Sequence, residues 1–74
     1  MRQLVAKSES TGKSLWIEDS GYVYMGERRV ALVVTQYIDS MNDPEEIEIS
    51  RFSLTKDRAN ILIGLLKVAW ENDG

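Results

Sequence analysis

The chain has no cysteine and no histidine among its 74 residues, and it has a single proline. The missing cysteines exclude a disulfide framework and a thiolate metal site. Without histidine, the common serine–histidine pair of nucleophilic catalysis cannot form. We therefore expect a protein that is not an enzyme and that uses no cofactor or metal.

Long hydrophobic runs are also lacking. The most apolar stretch, residues 61–70, contains Lys67 and is much shorter than the 18 or so apolar residues of a membrane span. The short apolar run after Met1 is broken by Lys7 and does not read as an export signal. From these patterns we expect a cytoplasmic protein with no membrane contact.

The length predicts one small domain covering residues 1–74. A chain of this size is near the lower limit at which a single hydrophobic core is sufficient. Because neither disulfides nor a cysteine or histidine metal site can reinforce the fold, the composition favours association into oligomers.

Alternating apolar residues and turn residues predict an antiparallel β-meander of four or five strands followed by one C-terminal helix packed on the sheet, an α+β fold. The short link 19–21 predicts that the second and third strands form a hairpin. The longest strand is apolar on both faces, which indicates a central position. The strands are expected at residues 4–6, 14–18, 22–25, 29–38 and 45–54.

The strand at residues 45–54 changes its hydrophobic phase partway along. Ile47 and Ile49 share one phase, whereas Phe52 and Leu54 share the other. A β-bulge or a bend near Ser50 and Arg51 would return both pairs to the core face of the sheet.

The last third of the chain, residues 53–70, predicts a helix with Thr55 as its N-cap. At about 100° per residue its apolar positions span roughly 220°, whereas a helix covering one sheet needs an arc of only about 100°. The excess predicts a second contact, most simply with another copy of the chain. The predicted oligomer interface comprises Ile61, Leu65, Val68 and Trp70.

Acidic residues are concentrated between Val30 and Ser50, where there is no lysine or arginine. One interpretation is a solvated loop, and another is a cation site formed by Asp39, Asp43 and Glu45. A third is a surface that recognises a basic partner, for which the candidate residues are Asp39, Asp43, Glu45, Glu46 and Glu48.

An alternative hypothesis is a single-stranded nucleic-acid-binding protein that uses an aromatic and basic sheet face. Tyr22 and Tyr24 would stack on bases, while Arg28 and Arg29 would contact phosphates. Aromatic residues in strands more often form core or cross-strand pairs. The formal charge of −3 also disfavours this alternative.

The predicted layout, several antiparallel strands and then a helix, resembles dimeric single-stranded-DNA-binding coactivator domains that pair through their helices, although no residue motif of that family accompanies it. Its size and form are also similar to phage-type accessory or inhibitor proteins that bind a host protein. The sequence therefore predicts a small non-enzymatic protein-interaction module that associates with itself, another protein, or both.

Overall fold

The computed structural model describes residues 1–19, 21, 23–39 and 44–72. Within them, the predicted α+β architecture is confirmed: a four-stranded antiparallel sheet is followed by one C-terminal helix. In chain order the elements are β1 (Arg2–Lys7), β2 (Lys13–Glu18), β3 (Val23–Tyr24), β4 (Glu27–Arg28), β5 (Val30–Ile38), β6 (Glu45–Leu54) and α1 (Lys56–Glu71).

The main sheet has the strand order β1-β2-β5-β6, and every neighbouring pair is antiparallel. The prediction that the longest strand lies centrally is confirmed, because β5 pairs with β2 on one side and β6 on the other. β1 joins the sheet as an edge strand. Among the described residues, Val33 on β5 is the only fully buried apolar side chain, at 0% exposure. A single chain thus encloses very little core.

The predicted hairpin between the second and third strands is wrong. β2 pairs with β5, whereas β3 pairs with the short β4. Met25 and Gly26 both have positive φ, 53° and 77°, and two such residues form the primed turn that suits a tight hairpin. The local turn therefore closes β3 onto β4, and the longer apolar β5 takes the place beside β2.

The predicted bulge in β6 is present, and it lies at Ile49. Val34 pairs with Ser50, whereas the next residue, Thr35, pairs with Glu48, so that Ile49 is the extra residue. Because of this insertion, Ile47 shares one face of the sheet with Phe52 and Leu54. The expectation that Ile49 joins them is wrong, because Ile49 is the unpaired residue of the bulge and is exposed.

The strand registers divide the main sheet into two faces. Residues paired across neighbouring strands point to the same side, and successive residues alternate. The face that we call the apolar face comprises Leu15, Ile17, Val30, Leu32, Val34, Ile47, Phe52 and Leu54. The opposite face, called the polar face, comprises Arg2, Trp16, Glu18, Val33, Thr35, Glu46, Glu48 and Arg51.

The helix begins as predicted, since the Thr55 side chain accepts a hydrogen bond from the backbone N–H of Arg58 at 3.3 Å. It does not lie across the sheet, however, and this corrects the expectation that it packs there. The helix approaches β6, and only Ala59 and Leu62 of its residues 56–71 are half-buried. Thr55 is the sole link between β6 and α1 and has extended dihedrals, so the helix leaves from the edge strand and projects outward.

The dimensions of the chain show the same separation. Its principal extents are 43 × 41 × 16 Å. Four strands span only about 14 Å across a sheet, and a 16-residue helix adds roughly 24 Å. The radius of gyration is 15.1 Å, compared with about 11 Å for a compact domain of this length. The helix and the sheet therefore lie beside one another.

Candidate interaction surface

The polar face of the sheet is held together by an ion-pair network. Glu18 accepts from Arg2 at 2.8 Å and from Arg51 at 3.0 Å. Arg51 also forms a two-pronged contact with Glu48, with nitrogen–oxygen distances of 2.7 and 3.1 Å. These four side chains come from three different strands, so the network ties β1, β2 and β6 together across the central strand.

The ion pairs change the acidity of the carboxyl groups. Hydrogen bonds from Arg51, and then from Arg2, hold the pKa of Glu18 at about 2. The pKa of Glu48 is also lowered, chiefly by its hydrogen bond from Arg51. The arginines thus favour the charged form of both carboxyl groups.

A short hydrogen-bond chain lies beside this network. The Trp16 indole N–H donates to the Thr35 hydroxyl at 2.9 Å, and that hydroxyl donates to Glu46. The Arg2 guanidinium lies 5.5 Å from the centre of the Trp16 ring, within cation–π range. Thr35 is 2% exposed. The Trp16 indole and the Thr35 hydroxyl on the polar face thus find their hydrogen-bond partners within one chain.

No comparable cover lies over the apolar face among the residues that the structure describes. Its central positions Leu32 and Val34 are only half-buried, and Phe52 is 65% exposed. Full burial of an apolar side chain of this size stabilises a folded protein or a complex by about 1.5–3 kcal/mol. The free energy available from this face is therefore not realised in the single chain.

The helix shows the same deficit on two of its sides. Leu66 and Trp70 continue the side on which Ala59 and Leu62 approach β6, yet Trp70 is 84% exposed. The three other predicted interface residues lie about 140° around the helix from that side and are also exposed: Ile61, Leu65 and Val68.

The total exposed area shows how much surface is left over. The chain exposes 6220 Å², whereas a compact monomer of 8.4 kDa is expected to expose about 4,600 Å². The excess of roughly 1,600 Å² is about twice the 800 Å² that each partner contributes to a standard protein interface. The helix and the apolar face together therefore form an interaction surface large enough for a stable complex.

No protein-family model, curated protein or solved structure matches the chain. In the described part of the chain, no helix is long and apolar enough to cross a membrane.

The strand residues of the acidic segment lie on two different faces of the sheet. Glu46 and Glu48 lie on the polar face, where they accept from Thr35 and Arg51, whereas Glu45 pairs with Ile38 on the opposite side. Asp39 is exposed, and Asp43 lies outside the described residues. Within residues 1–19, 21, 23–39 and 44–72, there is no group of three acidic side chains placed to hold a metal ion.

The residues of the nucleic-acid alternative belong to the small hairpin and its flanks. Tyr24 pairs through its backbone with Glu27, and Tyr22 lies outside the described residues. Arg28 forms an ion pair with Asp19, whose pKa is lowered by the Gly21 backbone N–H and then by Arg28. Arg29 is half-buried. Arg28 is thus already engaged within the chain.

Reasoning from the sequence alone missed the polar-face network. Its signal was present in the strand alternation, because Trp16 and Glu18 share a face with Thr35 once β2 is placed beside β5. The sequence prediction instead paired β2 with the third strand, and this error hid the arrangement.

Proposed function

We propose that this protein is a non-enzymatic interaction module that associates with a second copy of itself through its helix and the apolar face of its sheet. The observation that carries the proposal is the excess of roughly 1,600 Å² of exposed surface over a compact monomer. This excess includes the apolar side chains of α1, which are exposed by more than half at Ile61, Ile63, Leu65, Leu66, Val68 and Trp70.

A second copy is the partner that this surface favours. The same chain supplies both an uncovered amphipathic helix and an uncovered apolar sheet face, and two-fold symmetric dimers reuse one surface on both subunits. A small domain without disulfides also gains stability most directly by such association.

Light scattering on the purified protein tests the proposal. We expect a mass of twice 8.4 kDa or a higher multiple. Val68→Asp should reduce the mass to that of a folded monomer, because a charge buried in an apolar interface is strongly unfavourable. Asn60→Asp adds the same charge on the polar side of the helix and should leave the assembly intact. A wild-type protein that is monomeric at all concentrations would contradict self-association.

A further inference from the structure

We propose that in the dimer each helix lies on the apolar sheet face of the other copy and contacts that face through Leu66 and Trp70. The side of the helix formed by Ile61, Leu65 and Val68 packs against the helix of the other copy. This arrangement rests on the self-association proposed above and specifies which surfaces meet. Three features of the structure favour this arrangement of the dimer.

The first observation is that the helix cannot use its own sheet beyond its first turns. Ala59 and Leu62 are half-buried beside β6, whereas Leu66 and Trp70 on the same side of the helix are exposed. The apolar side of the helix that begins at Ala59 and Leu62 thus extends beyond the sheet of its own chain. A sheet from another chain, placed beside the first, would fill that position.

The second observation concerns dimensions. Helix α1 is roughly 24 Å long, and the nine residues of β5 extend over about 30 Å. The helix therefore fits within the length of the apolar face. Its apolar arc of roughly 220° exceeds the width needed for one sheet, and the side formed by Ile61, Leu65 and Val68 is left for the other helix.

The third observation concerns the edges of the sheet. β1 has a register irregularity between Leu4 and Ala6, and β6 has its bulge at Ile49. Bulges and charged side chains at outer strands disfavour continuous pairing between sheet edges. Because both edges carry an irregularity, association through faces is favoured over strand addition.

Cysteine cross-linking tests this arrangement cleanly, because the chain has no native cysteine. The variant Leu66→Cys on the helix is mixed in urea with Phe52→Cys on the apolar face, and the two are refolded together and oxidised. A parallel mixture replaces the second variant with Ser53→Cys, the neighbouring residue on the polar side of β6. Mass spectrometry distinguishes the mixed disulfide from self-linked species, because the two variants differ in mass.

We expect at least about tenfold more mixed disulfide with Phe52→Cys than with Ser53→Cys, since a disulfide requires Cβ atoms roughly 4 Å apart. Equal yields from the two mixtures would overturn the arrangement even if the protein is a dimer. The same holds if Val68→Cys cross-links with itself while Leu66→Cys and Phe52→Cys form no mixed disulfide. A monomer in light scattering would instead overturn the proposed function, so the two failures are distinguishable.

Discussion

The two faces of the main sheet differ in how far one chain can complete them. On the polar face, Trp16, Thr35 and Glu46 satisfy one another, and Arg51 engages two carboxylates. On the apolar face, Phe52 is exposed, and Leu32 and Val34 are only half-buried. The comparison teaches that exposure alone does not identify an interaction surface. Arg51 on the polar face is exposed but paired with carboxylates of the same chain, whereas Phe52 on the apolar face is 65% exposed.

The largest effect is expected from a charge on the apolar face. If Phe52 is buried between two copies, Phe52→Asp should weaken assembly by roughly 3 kcal/mol or more per copy, because both the lost contacts and the buried charge are unfavourable. The mass in light scattering should fall to that of a monomer. Ser53→Asp places the same charge on the other side of the strand and should leave the dimer intact. Similar dissociation by both variants would remove the distinction between the faces.

A smaller effect is expected inside the polar face. Thr35→Val keeps the shape of the side chain but removes the hydroxyl that links Trp16 to Glu46. Leaving these groups without their partner should lower the free energy of unfolding by about 1–2 kcal/mol, measured by urea titration at fixed protein concentration. The mass should not change, because this face is complete within one chain. Thr35→Ser retains the hydroxyl and should recover most of the loss attributable to the hydrogen bonds.

The sequence predicted the elements better than their arrangement. Strand 45–54, its bulge and the Thr55 cap follow from local alternation and local hydrogen bonding, and these predictions are confirmed. The pairing of β2 was wrong because it depended on a choice between a near and a distant partner, which local patterns do not decide. Turn geometry decided it, since the Met25–Gly26 turn closes the third strand onto a fourth.

The position of the helix could not be derived from its sequence either. An apolar arc indicates that a helix needs covering, but not which chain supplies the cover. The prediction that Ile61, Leu65, Val68 and Trp70 face a partner stays a prediction, although the structure leaves all four exposed. The acidic segment was treated as one surface because its residues are close in sequence; strand alternation divides Glu45 from Glu46 and Glu48.

A pH titration separates the contribution of the ion pairs on the polar face. The pKa of Glu18 is lowered from 4.5 to about 2 by its arginine partners, so the unfolded chain takes up a proton at a higher pH than the folded chain. The stabilising contribution is therefore fully present above about pH 4.5 and is lost as the pH falls towards 2. The urea midpoint of the wild type should decline more steeply over this range than that of Glu18→Gln. Glu9→Gln, in the turn after β1, serves as the control and should follow the wild type.

The smallest effect is expected from removing a residue, and it tests whether the two faces depend on the bulge. Ile49 is the extra residue between Glu48 and Ser50. Its deletion should give a regular strand in which Glu48 still faces the polar side and Ser50 the apolar side, because the period of two is preserved. We expect a folded dimer whose stability changes by less than about 1 kcal/mol, within the range of ordinary single substitutions.

Insertion of one alanine after Ile49 is the matched opposite change. Because the side-chain period is two, a second extra residue lets β6 alternate regularly without a bulge, so that Phe52 and Leu54 stay on the apolar face. Their partners on β5 shift by two residues, and assembly should be weakened more than by the deletion. Far-ultraviolet circular dichroism and light scattering would report the two variants together. If the deletion abolished assembly, Ile49 itself would be part of the interface, and edge strand β6 would have to contact the second copy directly.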